Sequence, residues 1–188
     1  AQNLLMASGS ARPSIVMMTA SLARLLRQSI SNEDEVVPLA REVEYAKGYL
    51  TIQKMRYKDK LEFEIDVEPS ILNIPLIKLV LQPIIENAIY HGLKYKESKG
   101  LLQVKGFMKD GNAVLQVIDN GVGMDEETLS HIYDKHKVNY HSNGVGVYNV
   151  QKRLKLYYGE NYGITYESEK GVGTTATITI PGIQEESI

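Results

Sequence analysis

The stretch LQPIIENAIYHGL, residues 81–93, combines an apolar helix pattern with three polar side chains. Its apolar positions predict a helix built for burial, yet Glu86, Asn87 and His91 fall in the middle of that pattern. A polar group buried without a partner costs on the order of 1–3 kcal/mol, so these side chains should face something other than the core. Residues four apart share one helix face, which places Asn87 and His91 together.

Composition sets broad limits on what the chain can be. It has 188 residues, 43% apolar and 23% charged, with a net charge of −2 and no cysteine. These values predict one large domain, or one ordinary domain with an extension. They exclude disulfides and thiolate metal sites, and they show no basic excess that would indicate nucleic acid as a partner. The chain opens in mid-pattern without an initiator Met, so we expect a fragment of a longer protein.

The first part of the chain, residues 1–57, is predicted to form a helical hairpin. Apolar residues at helical spacing mark one helix over residues 13–30 and a second helix from Pro38 to about Tyr57. Such a hairpin buries little apolar surface by itself, so it requires a partner.

Residues 58–188 predict an α+β fold, a mixed sheet with helices on one face. Strict alternation over residues 61–67 is typical of a half-buried strand, and Pro75 is expected to open the next helix, with Pro83 kinking or restarting it. The remaining predicted elements are a hairpin around KDGN (109–112), a helix from about Val145 to Tyr158 and a hairpin around EKGVG (169–173).

Two glycine-rich stretches stand where ligands commonly bind. IDNGVGMD (118–125) places Asp119 at the end of a strand, followed by Gly121 and Gly123, which let a backbone approach closely. An Asp there accepts hydrogen bonds and can read an exocyclic amine. HSNGVGVYNV (141–150) puts Gly144 and Gly146 before a helix, whose free N–H groups suit phosphate.

Each stretch alone has a simpler interpretation. Asp-x-Gly-x-Gly is usually a turn, His91 can cap the end of a helix, and GVGTT (171–175) can be only a hairpin turn. The order of the stretches, from Glu-Asn helix to strand end to polar segment to glycine-opened helix, favours a ligand site over these alternatives.

The motifs resemble a known family. ENAIYHG (86–92), DNGVGM (119–124), NGVGVYNV (143–150) and GTTATITIP (173–181) are similar to the nucleotide-binding motifs of the GHKL superfamily, whose Bergerat-type fold is shared by histidine kinases and gyrase. LARLLRQSIS (22–31), residues 42–66 and residues 74–94 resemble the sensor histidine kinases of the LytS/YesM type. The resemblance covers nearly all of the chain after residue 20.

The resemblance implies catalytic roles in phosphoryl transfer from ATP. Asn87 would hold Mg²⁺ through its amide oxygen, and Glu86 would act as polariser or base toward the incoming nucleophile. His91 would lie near the phosphates. At Tyr90 many relatives carry Lys or Arg to meet phosphate, and either Lys94 or His91 would compensate in this chain.

The resemblance also implies the rest of the nucleotide pocket. Asp119 would accept a hydrogen bond from the adenine N6 amine, and residues 124–142 would form a lid over ATP. The further ATP-binding residues it implies are Gly121 and Gly123 beside adenine, Thr174 or Thr175 beneath it, and Asn143, Gly144, Val145 and Gly146 along the phosphates.

Function and partners follow as expectations from the same resemblance. We expect residues 1–57 to be part of a dimerisation hairpin, and residues 58–188 to be an ATP-binding kinase domain that uses Mg²⁺. The parent protein would be a membrane-anchored homodimer that passes phosphate to a response regulator, with this domain in the cytoplasm. The four histidines begin at His91, so we expect the phosphoacceptor histidine to be missing here and self-phosphorylation at that position to fail.

Three alternatives to a histidine kinase stay open. The chain could be a GHKL-type ATPase, a protein-serine kinase of the anti-sigma type, or a binding module that uses ATP only as a conformational ligand. A metal site formed by His131, His136 and His141 is a weaker alternative, because five-residue steps are not the usual spacing of metal ligands.

Overall fold

A five-stranded mixed sheet is the central element of the computed structural model, which describes residues 35–132 and 144–182. The strands are β1 (Val36–Pro38), β2 (Leu61–Val67), β3 (Pro75–Ile77), β4 (Gly100–Lys109), β5 (Asn112–Asp119), β6 (Gly163–Glu169) and β7 (Gly173–Pro181). The helices are α1 (Leu39–Tyr57), α2 (Leu81–Asn87), α3 (Glu126–Ser130) and α4 (Gly144–Tyr158). A π-helical segment, Ala88–Leu93, continues α2, and short 3-10 turns lie at Lys58–Lys60 and Pro69–Ile71.

The sheet order is β2-β4-β5-β7-β6, with β2 parallel to β4 and the other pairs antiparallel. Side chains alternate between faces along a strand, so Leu102 and Val104 of β4 are buried while Leu101 and Gln103 are only partly covered. The buried face joins residues of α1, α2 and α4 in one apolar core. The predicted α+β fold is confirmed.

The hairpin between β4 and β5 turns at Asp110 and Gly111, as the Asp-Gly pair predicts. Both residues have positive φ, 50° and 77°, which is the geometry of the two-residue turn that suits twisted strands. The predicted strand over residues 61–67 and the predicted second hairpin are confirmed as well.

Helix α1 packs on the sheet domain. Leu39, Ala46 and Leu50 are each at most 1% exposed and belong to the same core as the sheet. The predicted helix over residues 13–30 lies outside the described residues. The hairpin over residues 1–57 and the division of the chain at residue 57 therefore stay predictions.

The prediction that Pro75 opens a helix was wrong. Pro75 begins strand β3 and pairs with Pro38 in a two-stranded ribbon, where a missing N–H is tolerated at a strand end. Helix α2 starts six residues later, and Pro83 lies in its first turn, where the backbone N–H has no partner within the helix.

Membrane-spanning helices are absent from residues 35–132 and 144–182. No helix in those two ranges is both long and apolar enough to cross a bilayer.

Candidate nucleotide-binding site

A cleft of about 410 Å³ opens between α2 with its π-helical continuation and the ends of β5 and β7. It is lined by Ile84, Asn87, Ala88, His91, Gly92, Val117, Asp119, Gly123, Met124, Tyr166, Thr174 and Ala176. Five predicted site residues, Asn87, His91, Asp119, Gly123 and Thr174, therefore meet in one cleft.

Asn87 contributes an amide oxygen that lacks a hydrogen-bond partner. It is the last residue of α2, and its Oδ1 is buried without a partner among the described residues. A buried acceptor in that state is costly unless something donates to it or coordinates it. The amide oxygen is a hard ligand of the kind Mg²⁺ takes, so Asn87 fits a cation that receives its other ligands from phosphate and water. Within the described residues no three His, Cys, Asp or Glu side chains form a metal cluster.

The backbone changes its helical pattern directly after Asn87. The N–H of Lys94 donates to the carbonyl of Ile89 at 2.8 Å, which is the wider spacing of a π-helix. His91 lies in this segment and lines the cleft, as its spacing from Asn87 predicts. Partial burial, and after it the charge of Lys94, lowers the pKa of His91 and favours its neutral form at neutral pH.

Asp119 is the buried carboxylate of the cleft. It ends β5, is 6% exposed and accepts a hydrogen bond from the N–H of Gly121 at 2.8 Å through Oδ1. Burial raises the pKa of Asp119 to about 6, although the N–H groups of Gly121 and Thr174 and the charge of Lys96 oppose that shift. The carboxylate is ionised at neutral pH and can accept a hydrogen bond from a ligand.

Close approach of two chain segments fixes the position of Asp119. The N–H of Val122 donates to the carbonyl of Gly92 at 3.1 Å. A Cβ at Gly121 would lie 2.4 Å from the backbone carbon of Gly92, and one at Gly92 would lie 2.6 Å from Oδ1 of Asp119. A side chain at Gly121 would push the strand end away from the helix end, and one at Gly92 would displace the Asp119 carboxylate, so this arrangement requires glycine at both positions.

The backbone conformation of Gly123 and its close contact with Glu169 both require glycine at this position. Its φ is +63°, and a Cβ there would stand 1.9 Å from the carbonyl oxygen of Glu169. The adjoining Val122 carbonyl accepts from the N–H of Gly171 at 2.7 Å, which ties this loop to the turn between β6 and β7.

The two predicted threonines lie on different sides of the sheet. Thr174 lines the cleft, and its hydroxyl is 2.9 Å from that of Ser168, which also accepts from the N–H of Met124. Thr175 lines a groove on the opposite face because successive side chains of a strand alternate. Thr174 is therefore the threonine that can contact a ligand in the cleft.

The glycine-opened helix begins beside α2. A Cβ at Gly146 would stand 3.3 Å from the Cβ of Pro83, so this glycine allows α4 to approach the helix that carries Asn87. The backbone of Gly144 and Val145 forms the first turn of α4, while Asn143 lies outside the described residues.

Glu86 faces helix α1 and is not among the residues that line the cleft. Its carboxylate accepts from Gln82 Nε2 at 2.9 Å. Burial, and after it the charge of Glu86, raises the pKa of Tyr49 on α1, which places the two groups close together. Tyr90 also faces α1, since its hydroxyl accepts from Arg56 Nη1 at 3.5 Å.

Lys94 likewise lies away from the cleft. It lines a separate cavity with Tyr57, Leu61 and Lys96. Neither Lys94 nor Tyr90 therefore contacts the cleft in this arrangement.

Sequence reasoning missed several residues of the cleft. Gly92 stood at the end of the ENAIYHG motif, and its role depends on Gly121, 29 residues away, so spacing alone could not indicate it. Met124 directly follows Gly123 within the first glycine-rich stretch. The apolar residues Ile84, Ala88, Val117 and Ala176, and Tyr166, were indistinguishable from core positions in their helix and strand patterns.

Comparison with known proteins identifies the family of the chain. Residues 73–184 match the family model described as histidine kinase-, DNA gyrase B- and HSP90-like ATPase, and residues 3–61 match a histidine kinase model. The chain is 32% identical over 176 residues to sensor histidine kinase YesM of Bacillus subtilis, covering 94% of this chain and 29% of that protein. It is 34% identical over 143 residues to sensor protein LytS of Oceanobacillus iheyensis, covering 74% and 24%.

Solved structures share the fold. The catalytic domain of histidine kinase ThkA superposes with a TM-score of 0.61 at 14% identity, covering 79% of this chain and 99% of that one. The histidine kinase domain of a blue-light activated kinase from Erythrobacter litoralis gives 0.57 at 16% identity, covering 89% and 74%. The chain belongs to the histidine kinase-, DNA gyrase B- and HSP90-like ATPase family, in its sensor histidine kinase branch.

Proposed function

We propose that this chain is the ATP-binding catalytic domain of a two-component sensor histidine kinase. It would transfer the γ-phosphoryl group of ATP to a histidine on a helical hairpin, for relay to a response regulator. The observation that carries the proposal is the pair formed by the partnerless Asn87 amide oxygen and the buried Asp119 carboxylate in one cleft.

The cleft and the start of α4 suit the two ends of ATP. Asp119 would accept a hydrogen bond from the adenine N6 amine, while the backbone at Gly121 and Gly123 gives the base room and Thr174 lies beside it. The N–H groups at the start of α4, from Gly144 to Gly146, would receive the phosphates, with Asn143 next to them. Phosphoryl transfer depends mainly on such positioning and on charge neutralisation.

Asn87 would hold Mg²⁺ through its amide oxygen. When bound, the ion supplies neutralisation of the phosphate charge. His91, neutral and near the phosphates, would position them by hydrogen bonding, and Lys94 would add positive charge only if its side chain swings toward the cleft. Glu86 would act on the incoming nucleophile once its hydrogen bond with Gln82 is broken.

The wider assembly is part of the same proposal. The chain spans between 24% and 29% of the length of the curated relatives it matches. The full protein would be a homodimer that phosphorylates a response regulator, anchored in a membrane with this domain on the cytoplasmic side.

Phosphoryl transfer tests the proposal. The chain is incubated with γ-labelled ATP, Mg²⁺ and a supplied histidine-containing hairpin, and acid-labile label is expected on the hairpin. Phosphate release without transfer would favour an ATPase, and binding with neither reaction would favour a module that uses ATP as a conformational ligand. Strong acid-labile label on the chain alone would contradict the expectation that the acceptor histidine is missing.

Replacing Asn87 with alanine is expected to remove the Mg²⁺ dependence of ATP binding. The parent chain should bind ATP about tenfold more tightly with Mg²⁺ than with a chelator, because loss of one metal ligand typically costs that much or more. The variant should give the same affinity in both conditions by isothermal titration. The exposed Asn73→Ala variant serves as the control, and a parent-like Mg²⁺ response of Asn87→Ala would refute the role.

ATP binding is expected to strengthen as pH rises through 6. The pKa of Asp119, about 6 against the usual 3.8, makes its ionised fraction rise roughly tenfold between pH 5 and 7. The ionised carboxylate is a stronger hydrogen-bond acceptor for the N6 amine than the protonated acid, so affinity should rise with that fraction. Phosphate groups titrate near the same pH, so the parent curve is compared with that of Asp119→Asn, whose pH dependence should be weaker. Curves that coincide would rule out Asp119 as the titrating group.

The raised pKa of Asp119 makes the stability of the fold change with pH in the opposite direction to ATP affinity. Between about pH 4 and 6 the folded chain keeps a proton on Asp119 that the unfolded chain has released. The contribution of this group to the free energy of unfolding therefore falls as pH rises through that window, so tighter ATP binding at pH 7 cannot be attributed to a more stable fold.

A further inference from the structure

A buried carboxylate outside the cleft holds the turn that leads into helix α2. Glu42 of helix α1 is 2% exposed, and its two oxygens accept hydrogen bonds from three consecutive backbone N–H groups. The donors are Leu79 at 2.8 Å, Val80 at 2.9 Å and Leu81 at 3.1 Å. The free amides at the start of α2 are thus satisfied by a side chain of another helix.

Helix α4 holds the same turn from its other side. Arg153 Nη2 donates to the carbonyl of Lys78 at 2.9 Å. The hydroxyl of Tyr158 accepts from the N–H of Ile77 and donates to the carbonyl of Pro75, each at 3.2 Å. The backbone from residue 75 to residue 81 is therefore fixed by side chains of α1 and α4 together.

The turn needs this support because its conformation is unfavourable. Leu79 has a φ of 62°, which a side chain with a Cβ rarely adopts. Burial raises the pKa of Glu42, while the three N–H groups and the charge of Arg153 favour its ionised form. Such a buried carboxylate persists only where several donors converge on it.

The position of this turn bears on the distance between Asn87 in the cleft and the start of α4. Asn87 follows Leu81 by six residues on the same helix, and Arg153 lies on the helix whose first turn carries Gly144 and Gly146. A shift of the turn moves the amide oxygen of Asn87 relative to the start of α4. Asp119 ends β5, which is paired with β4 and β7 in the sheet, so we expect it to move less than Asn87 when the turn shifts.

We propose that Glu42, together with Arg153, is a positioning residue that aligns Asn87 with the start of α4 and so supports the phosphate end of the cleft but not its adenine end. This role rests on the proposed function. Glu42 does not line the cleft, so it acts through the turn and not by touching nucleotide.

The test measures binding of the adenine end and of the phosphate end of the nucleotide separately, in the Glu42→Gln variant of the full chain. Glutamine keeps the size and one acceptor oxygen, but its NH₂ group faces backbone donors. Adenosine affinity, measured by NMR titration, is expected to stay within about twofold of the parent, while the gain in ATP affinity on adding Mg²⁺ falls by about tenfold. The matched control is Glu44→Gln, an exposed carboxylate two residues along the same helix, which should match the parent in both measurements.

Each outcome decides the role of Glu42. Equal losses for adenosine and ATP would indicate a merely structural residue and overturn the proposal, as would parent-like values for both. If Glu42→Gln does not fold, the Arg153→Lys variant is measured in its place. Lysine keeps the charge but lacks the second guanidinium nitrogen. The same loss of the Mg²⁺-dependent gain in ATP affinity is expected, with adenosine affinity retained. A parent chain without Mg²⁺-dependent ATP binding would reject the proposed function and this role together, whereas a variant that matches a binding parent rejects the role alone.

Discussion

Asp119→Asn is expected to weaken ATP binding by about 10- to 100-fold while changing GTP binding far less. A hydrogen bond to a charged group is worth roughly 1.5–3 kcal/mol, and the asparagine NH₂ would face the adenine N6 amine, donor against donor. Guanine carries a carbonyl at that position, so the variant loses the preference for adenine. Competition between ATP and GTP for the parent and the variant measures this ratio directly.

This prediction has two controls: the free energy of unfolding of the variant, and a substitution at a second aspartate. Because burial raises the pKa of Asp119, its charge is disfavoured in the fold at neutral pH, and the neutral asparagine should not lower the free energy of unfolding strongly. Asp66→Asn, on the exposed side of β2, should leave both nucleotide affinity and stability unchanged. An unaltered ATP-to-GTP ratio in a folded Asp119→Asn chain would show that Asp119 does not read the base.

Gly123→Ala is expected to destabilise the chain by about 2–5 kcal/mol and to abolish ATP binding. Positive φ costs a residue with a Cβ roughly 1–2 kcal/mol, and here the new Cβ would also stand 1.9 Å from the Glu169 carbonyl oxygen. Backbone atoms cannot yield as a flexible side chain can, so the loop must move and add an overpacking cost of about 1–3 kcal/mol.

Gly111→Ala is the matched control for Gly123→Ala. Gly111 also has a positive φ, 77°, but a Cβ there meets nothing within 4 Å. Its cost should be the conformational one alone, with ATP binding intact. Urea unfolding of both variants measures the difference, and equal destabilisation would mean that contact with the β6–β7 turn does not constrain the site.

Local sequence signals were sufficient wherever the relevant partners are close along the chain. The Asp-Gly pair at residues 110–111 predicted the hairpin, and strict alternation predicted strand β2. Asp119 and Gly123 could be predicted to lie together because strand end and glycine motif adjoin each other, and both line the cleft. The spacing of Asn87 and His91 placed both on one side of a helix, and both line the cleft.

Long-range contacts and changes of helical pattern left no such signal. Glu42 looks like an ordinary first-turn carboxylate, because its three donors lie 37 to 39 residues further along the chain. Nothing in the sequence indicates the π-helical segment after Asn87. The direction of the Lys94 side chain, which follows that segment, therefore could not be predicted. Pro75 was misassigned since its strand partner, Pro38, lies in a different segment.

A structure of the chain with Mg²⁺ and a non-hydrolysable ATP analogue would show directly which residues bind the base and the cation. We expect the adenine N6 amine within hydrogen-bond distance of an Asp119 carboxylate oxygen, and the Asn87 amide oxygen bound to a cation that also contacts the phosphates. Nucleotide bound elsewhere, or an Asn87 amide oxygen that pairs with a protein donor while nucleotide is bound, would contradict this expectation.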